Sequence, residues 1–344
     1  MSRILCAMSG GVDSSVVAYL LKKEGHEVYG ATLKLHAASS AADISDAAEV
    51  CRKLDIPHIV YDLSEIFKSR VIDYFTDQYM AGLTPNPCVM CNRTVKLGGL
   101  AEIALSNGFE YVATGHYSNI CRDEVSGRHV LLRAADARKD QTYVLYSLPQ
   151  EVLSRLMFPL WNLSKGEIRQ IALDNDLINA AKPDSQDICF IPDGDYASYI
   201  KRQIDREILR GEYIDKNGQC IGTHKGIIYY TIGQRKGLGQ SFNGHRYVLG
   251  KNAADNTITL GGIEDLFRSS CTVRDANFLP FERLTAPIRV TVKTRYAGAE
   301  QSAVISPCAD GVLVEFDAPQ KSITPGQSAV FYDGDIVVGG GIIE

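Results

Sequence analysis

The first part of the chain alternates short apolar runs with amphipathic segments. Residues 3–8 form an apolar run that predicts a buried strand, and residues 14–24 carry apolar side chains at helical spacing. The alternation of strand-like and helix-like segments continues to about residue 115. It predicts an α/β fold with a doubly wound parallel sheet. Ligands of such sheets bind at the carboxyl ends of strands, which here are the loops after residues 8 and 115.

Two stretches in this part lack a clear period. The small, polar segment HAASSAAD (36–43) predicts a loop, and so does the Pro- and Cys-rich segment LTPNPCVMCNRTVKLG (83–98). Further along, YASYIKRQIDREILR (196–210) predicts a helix, with Arg202, Arg206 and Arg210 in a row on one face.

The pattern changes near residue 195. Gly-rich, short apolar segments predict a small domain of hairpins, and from about residue 266 only strand-like runs with regular turn signals remain. Such a run of strands favours a closed β-barrel. We therefore expect three domains, over residues 1–195, 196–265 and 266–344.

Composition narrows the class of protein. The 344 residues are 45% apolar and 22% charged, as in ordinary globular proteins. No apolar run approaches the roughly 20 residues that span a bilayer, and the N-terminus does not look like a signal peptide. Nine cysteines, an odd number, indicate a reducing compartment, so we expect a cytoplasmic protein with no membrane partner. The net charge of −5 argues against coating of nucleic acid, but it allows a local basic patch.

The segment SGGVDSS (9–15) joins the first predicted strand to the first predicted helix. Glycines allow a close approach of the backbone to an anion, and N–H groups at a helix N-terminus point towards it. The Gly-Lys-Ser/Thr ending of a Walker loop is missing. A loop without that lysine is suited to hold pyrophosphate as a unit, which favours attack at an α-phosphate. The alternative is a Gly-rich turn that binds no ligand.

Three of the cysteines stand apart. Cys88 and Cys91 are followed by Asn92, Arg93 and Lys96, which could lower a thiol pKa. Cys189 lies in PDSQDICFIPDGD, another segment without a clean period. The remaining cysteines are interpreted as core or incidental thiols: Cys6, Cys51, Cys121, Cys220, Cys271 and Cys308.

Several motifs together resemble the tRNA-specific 2-thiouridylase family of the PP-loop ATP pyrophosphatases. They are SGGVDSS, TPNPCVMCNRTVK, ATGHY, KDQTYVLYSL, KPDSQDICFI, YYTIGQRKGLG and VKTRYAG, in this order over nearly the whole chain. The resemblance implies an enzyme that uses ATP to adenylate the C2 oxygen of the wobble uridine in tRNAs for Lys, Glu and Gln. A persulfide sulfur then displaces AMP, which leaves 2-thiouridine.

The resemblance also assigns residues to ATP and sulfur. Cys189 would receive sulfur from a donor protein, such as a cysteine desulfurase relay. Cys91 would attack the persulfide and form a Cys91–Cys189 disulfide as sulfur leaves. ATP would bind with Mg²⁺, for which Asp13 is a candidate ligand. The implied nucleotide contacts are Ala7, Met8, Ser9, Gly10, Gly11, Val12, Asp13, Ser14, Leu33 and Gly115.

The remaining implied contacts are to tRNA. They are Asn86, Pro87 and Cys88 near the target base, Lys139, Asp140 and Gln141 with Gln141 near the base, and Arg295 and Tyr296 at the anticodon loop. Residues 196–237 hold eight Lys or Arg against four Asp or Glu, and we expect phosphate contacts there.

Cys88 stands where some members of the family have Asp. Three thiols at Cys88, Cys91 and Cys189 could instead ligate a 4Fe–4S cluster with one open iron, or a zinc ion, for which a fourth ligand is missing. Two other functions are also compatible with the motifs. An adenylating ligase with an amine nucleophile would not need Cys91 or Cys189. A non-catalytic RNA-binding protein would bind tRNA regardless of ATP.

Overall fold

The computed structural model describes residues 1–36, 41–177, 188–205, 207–242 and 244–344. The strands of the first part are β1 (Arg3–Ala7), β2 (Glu27–Lys34), β3 (His58–Asp62), β4 (Tyr111–Ala113), β5 (Asn119–Arg122), β6 (His129–Leu132) and β7 (Leu156–Met157). Five of them form a parallel sheet in the order β3-β2-β1-β4-β7. The predicted parallel sheet is therefore confirmed.

Helices cover both faces of this sheet. The helices of the first part are α1 (Val12–Lys23), α2 (Ala41–Lys53), α3 (Ser64–Phe67), α4 (Asp73–Met80), α5 (Pro87–Cys91), α6 (Leu97–Ser106), α7 (Gln150–Leu153) and α8 (Lys165–Asp174). Of these, α3 and α4 pack against the central part of the chain and not on the sheet. The side chains of β1 alternate between the two faces. Ile4 and Cys6 pack with α1, α2 and α8, whereas Leu5 packs with α6 and α7. This is the predicted doubly wound arrangement.

The segment 83–98 is helical, so the prediction of a loop there was wrong. Asn86 caps α5 by accepting the Cys88 N–H at 3.1 Å, and Pro87 occupies the first helical position. Both are ordinary signals of a helix start. Residues Asn92–Lys96 continue with π-helical hydrogen bonds and lead into α6. The loop predicted over 36–43 was also wrong for residues 41–43, because α2 begins at Ala41; residues 37–40 lie outside the described residues.

The central part contains α9 (Tyr196–Gln203) and the strands β8 (Gly211–Ile214), β9 (Cys220–His224), β10 (Tyr247–Asn252) and β11 (Thr257–Gly261). Two antiparallel hairpins, β8–β9 and β10–β11, join through a parallel β8–β11 pair. The predicted hairpins are therefore present. The helix predicted to Arg210 ends at Gln203, because Ile204 is extended. Arg210 thus lies outside α9 and Arg206 lies outside the described residues, so the predicted row of arginines on one helix face is wrong.

The last part is a closed barrel, as predicted. Its strands are β12 (Phe267–Phe278), β13 (Ile288–Lys293), β14 (Gln301–Cys308), β15 (Gly311–Lys321), β16 (Ser328–Asp333) and β17 (Ile336–Ile343). Pairing of β12 with β17 closes the ring. The β5–β6 hairpin of the first part extends the same sheet through a pairing of Leu132 with Ile336. The barrel is thus anchored on the part of the chain that carries the parallel sheet.

No helix in the described ranges is both long and apolar enough to cross a membrane.

Candidate active site

The loop after β1 has the shape of an anion cradle. Gly10 has φ of +71°, and a Cβ there would lie 2.5 Å from the backbone oxygen of Asp43, so only glycine fits. The Ser14 hydroxyl accepts the Ser9 N–H at 3.2 Å and donates to the Gly11 carbonyl at 3.1 Å. The loop is therefore held in place by its own serines, beside the N-terminus of α1. This fits the phosphates of a nucleotide.

The predicted nucleotide residues come together at one end of the sheet. Strands β1 and β4 are neighbours in the sheet. The next sheet strand after β1, which is β2, lies on one side of this pair, and the next after β4, which is β7, lies on the other. The carboxyl ends of β1 and β4 therefore flank a crevice. A Cβ on Gly115 would lie 2.9 Å from Cβ of Asp13. Leu33 is close to the end of the adjacent β2, whose Thr32 hydroxyl donates to the Met8 carbonyl at 2.9 Å.

The structure separates backbone from side-chain roles in this loop. Ala7 is the last residue of β1. The side chains of Met8 and Val12 are buried in the core, so these two residues can meet a nucleotide only through their backbone. The side chain of Asp13, in contrast, is part of the crevice, because its Oδ1 accepts the Tyr117 hydroxyl at 2.9 Å.

Lys165, which the sequence analysis did not single out, contacts the same Asp13 carboxylate. Lys165 Nζ lies 2.6 Å from Asp13 Oδ1. Lys165 is the first residue of α8, whose start is fixed by a capping box between Ser164 and Glu167. The Ser-Lys-Gly-Glu spacing could have predicted that helix start. Nothing in the linear sequence indicates that Lys165 faces Asp13.

A second feature is a cavity of about 380 Å³ that is lined by the three cysteines singled out in the sequence. Cys88, Cys91 and Cys189 all line it and are free thiols. The implied tRNA contacts that also line it are Asn86, Pro87, Gln141 and Tyr296. Lys139, Asp140 and Arg295 lie outside its lining. The residues before Ile188 in the KPDSQDICFI motif lie outside the described residues.

The thiols differ in exposure. Cys91 is only 5% exposed, whereas Cys88 and Cys189 are exposed. Burial raises the pKa of Cys91 to about 12, and the nearby Lys96 opposes this shift without overcoming it. Burial also raises the pKa of Cys88, so the expectation that the following cations lower the thiol pKa was wrong for both cysteines. Burial acts to lower the pKa of Lys96, but attraction to the thiolate forms of Cys91, Cys189 and Cys88 outweighs it, and the pKa is raised.

His116 is a cavity residue that the sequence analysis missed. It directly follows Gly115, and its Nδ1 lies 2.7 Å from the Thr114 hydroxyl. Burial, with a smaller contribution from Lys96, lowers the pKa of His116 to about 3. It is therefore a neutral imidazole between the nucleotide loop and the thiol cavity. Its place in ATGHY, directly after a predicted nucleotide contact, was the available signal.

Gln141 has one end of its amide already fixed. Its Oε1 accepts the Tyr117 N–H at 2.9 Å, and its own backbone N–H donates to the Tyr117 carbonyl at 2.9 Å. A backbone N–H needs an acceptor, so the amide orientation follows from the geometry. The NH₂ group is then the end that can contact a ligand in the cavity, and it can only donate.

Within the described ranges, no group of three or more His, Cys, Asp or Glu side chains is placed to hold a metal ion. These ranges include Cys88, Cys91 and Cys189. The iron–sulfur and zinc arrangements of these thiols are thus not seen in the structure and stay predictions.

Family models match the chain in three consecutive segments. Residues 2–193 match the tRNA methyl transferase HUP domain, residues 197–262 the tRNA methyl transferase PRC-barrel domain, and residues 268–343 the aminomethyltransferase beta-barrel domain. Together with the phosphate loop, these matches define a HUP-domain protein that carries two β domains.

Relatives of known name cover the whole chain. The tRNA-specific 2-thiouridylase MnmA of Clostridioides difficile is 45% identical over 99% of this chain and 98% of its own length. The MnmA 2 protein of Thermoanaerobacter sp. is 48% identical over 100% of this chain and 98% of its own length. The chain belongs to the tRNA-specific 2-thiouridylase family, a family of sulfurtransferases, which confirms the resemblance found in the motifs.

Proposed function

We propose that this protein thiolates the wobble uridine of tRNAs for Lys, Glu and Gln at C2, with ATP as the activating substrate. The observation that carries the proposal is the single cavity shared by Cys91, Cys189 and Gln141. Sulfur chemistry and a group able to bind a base are therefore side by side. The names of the full-length relatives support the same activity.

ATP would bind in the crevice between β1 and β4. The glycine cradle would hold its phosphates, Leu33 would lie beside the adenine, and Mg²⁺ would accompany the phosphates with Asp13 as its candidate ligand. The uridine O2 would attack the α-phosphorus and release pyrophosphate. His116 supports this placement, because it joins the loop after β4 to the cavity in which the base would lie.

Sulfur would arrive at Cys189, whose exposure suits transfer from a donor protein. The terminal sulfur of the Cys189 persulfide would bond to C2 of the adenylated uridine. The Cys91 thiolate would attack the Cys189 sulfur, so that a Cys91–Cys189 disulfide forms and AMP leaves. The charged Lys96 stabilises thiolates in this cavity, which offsets part of the cost of ionising the buried Cys91. A reductant would return both thiols.

The test is anaerobic thiolation of an unmodified tRNA-Glu transcript with ATP and Mg²⁺. Sulfur is supplied by a cysteine desulfurase system in one reaction and by free sulfide in another, and 2-thiouridine is measured by mass. Cys91→Ser and Cys189→Ser should each abolish product while tRNA binding stays within a few-fold. The exposed strand cysteines provide matched controls, and Cys220→Ser and Cys308→Ser should retain full activity.

Other results of this thiolation test would favour a different mechanism or a different function. Turnover by Cys189→Ser would contradict its role as sulfur carrier. Product with sulfide alone, from a brown preparation with stoichiometric iron, would favour a 4Fe–4S cluster on Cys88, Cys91 and Cys189 over the persulfide. ATP converted to AMP without thiolated RNA would favour an amine-dependent ligase. Binding of tRNA that does not respond to ATP or to Asp13→Ala would favour a non-catalytic protein.

A further inference from the structure

Arg133 connects the first part of the chain to the barrel. It follows β6, and its side chain is 16% exposed. Its Nη2 lies 2.7 Å from Glu300 Oε1, and its Nη1 lies 3.8 Å from Asp140 Oδ2. The guanidinium carbon lies 3.9 Å from the centre of the Tyr332 ring. The guanidinium thus lies beside two carboxylates and over one aromatic ring from three separate segments, and its Nε donates to the Gly334 carbonyl at 3.4 Å.

The Asp140 partner anchors the segment that contains Gln141. The Asp140 side chain is only 5% exposed. Its Oδ1 accepts the Ala134 N–H at 3.2 Å, and its Oδ2 accepts the Thr142 hydroxyl at 2.6 Å. These contacts leave Asp140 poorly placed to contact RNA. They instead fix the turn from which the next residue, Gln141, enters the cavity.

The Glu300 partner anchors the barrel loop between β13 and β14. Its Oε2 accepts the Thr291 hydroxyl at 2.8 Å, and the loop includes Arg295 and Tyr296. Tyr296 lines the thiol cavity, and its ring centre lies 5.9 Å from that of Tyr143. Arg133 therefore contacts Asp140, which fixes the turn before Gln141, and Glu300, which lies in the barrel loop that carries Tyr296. Gln141 and Tyr296 are two walls of the cavity, one from the first part of the chain and one from the barrel.

We propose that Arg133 is a positioning residue that sets the separation of Gln141 and Tyr296. Through Tyr296, the barrel then forms one side of the cavity that binds the base. This inference rests on the proposed tRNA thiolation. Loss of the Arg133 guanidinium removes the cation that lies between the Asp140 and Glu300 carboxylates, so the two walls lose the contact that they share. A base would then bind less well and in a less productive position.

A residue that only docks the barrel would behave differently, and Arg128 supplies that comparison. Its Nε donates to the Leu279 carbonyl at 2.7 Å and its Nη2 to the Phe278 carbonyl at 3.2 Å. Arg128 is thus also an arginine from the β5–β6 hairpin region that binds the barrel. Its hydrogen bonds go to the backbone at the end of β12, and not to Asp140 or Glu300.

The experiment compares Arg133→Met with Arg128→Met in the thiolation assay on full-length protein. We expect Arg133→Met to lower kcat/KM for tRNA by about tenfold or more, with KM for ATP unchanged. Arg128→Met should stay within about threefold of wild type, with an equal or larger fall in melting temperature. Arg133→Lys, which keeps the charge but lacks the planar guanidinium that lies beside both carboxylates, should recover part of the loss.

Glu300→Gln keeps Arg133 in place and tests the same link if Arg133→Met does not fold. It should lower kcat/KM for tRNA by about threefold with little change in melting temperature, and Arg133→Met with Glu300→Gln should lose no more than Arg133→Met alone. Equal losses of kcat/KM in Arg133→Met and Arg128→Met, or unchanged values in Arg133→Met, would overturn the inference. An inactive wild-type protein would instead refute the proposed function.

Discussion

The Lys165 ammonium lies 2.6 Å from a carboxylate oxygen of Asp13, although the two residues are 152 positions apart in the chain. Their side chains are 14% and 29% exposed, respectively. Asp13 belongs to the first turn of α1, directly after the glycine cradle. A loop that has no lysine of its own therefore has one supplied by the N-terminus of α8. The cation is next to the place where phosphates would bind.

We predict that Lys165→Met lowers ATP-dependent thiolation by roughly 10²- to 10³-fold, the order of loss on removing one hydrogen-bond donor to a developing anion. The change removes a cation beside the phosphates and also leaves Asp13 without its closest donor. AMP and pyrophosphate release in the presence of tRNA would measure the loss directly. Binding of tRNA in the absence of ATP should be unchanged.

Lys216→Met is the matched control for Lys165→Met. Lys216 also makes a Lys–Asp pair at 2.7 Å, with Asp265, but its side chain is 59% exposed and lies in the central part of the chain. Activity should stay within about twofold of wild type, because exposed pairs contribute little. If Lys165→Met and Lys216→Met release AMP at the same rate, Lys165 has no role at the phosphates.

Gly115→Ala should displace the phosphate loop. The new Cβ would lie 2.9 Å from Asp13 Cβ and 3.2 Å from the backbone N of Ser14, so the first turn of α1 must shift. We expect the KM for ATP to rise by about tenfold or more, because a small misplacement of a binding group is costly. The measurement is AMP release over a range of ATP concentrations.

The comparison for this variant is Gly166→Ala. Gly166 lies in α8, and the nearest atom to its new Cβ would be the Ser164 hydroxyl oxygen at 3.9 Å. Alanine favours a helix by about 1 kcal/mol over glycine, so this change should leave activity intact and raise stability slightly. An unchanged KM for ATP in Gly115→Ala would show that the loop tolerates the added methyl group.

Asn92→Leu tests the contact between the π-helical segment after α5 and the segment that carries Gln141. Asn92 is 4% exposed, and its Nδ2 donates to the Val144 carbonyl at 3.1 Å. Replacement by an apolar side chain of similar size leaves that buried carbonyl without its donor, which should cost about 1–3 kcal/mol of unfolding free energy. Urea unfolding measures the change.

Asn107→Leu is the matched control for Asn92→Leu in urea unfolding. Its Nδ2 also donates to a backbone carbonyl, that of Ile103 at 2.7 Å, but on the protein surface. Water can replace the lost donor there, so we expect a change below about 1 kcal/mol. Similar costs at both positions would mean that the Asn92 contact is not structurally important.

The sequence could predict those features that depend on local pattern. Apolar periodicity located β1 and α1, and glycines between them located the phosphate loop. The helix at Cys88 was missed because its Pro and Cys content outweighed two local helix signals, the Asn86 cap and Pro87. Contacts such as that of Lys165 with Asp13 leave no local signal, because only the packing of α8 against α1 brings them together.

Burial also escaped the sequence analysis. The cations after Cys91 are visible in the chain, but the loss of water around that thiol is a property of the folded cavity. It determines the direction of the pKa shift. The same effect appears at Lys251, on the boundary between the central domain and the first part of the chain.

Lys251 should make stability depend on pH in the alkaline range. Its Nζ donates to the Tyr230 carbonyl at 2.8 Å and to the Leu83 carbonyl at 3.4 Å. Burial disfavours the charge and lowers the pKa of Lys251 to about 8 from 10.5. Between pH 8 and 10.5 the unfolded chain therefore binds more protons at this residue than the folded chain does. The contribution of Lys251 to the unfolding free energy thus rises with pH, by about 3 kcal/mol at most.

Lys251→Met removes this contribution and isolates it from other groups that titrate in the same range. Near pH 7 the wild type bears the cost of burying a charge, whereas the variant bears the cost of two carbonyls that have lost a donor. As pH rises from 8 to 10.5, only the wild type is relieved of its cost. The urea midpoint of the wild type should therefore rise relative to that of Lys251→Met over this window. A constant difference between the two midpoints would show that Lys251 keeps an ordinary pKa in the folded protein.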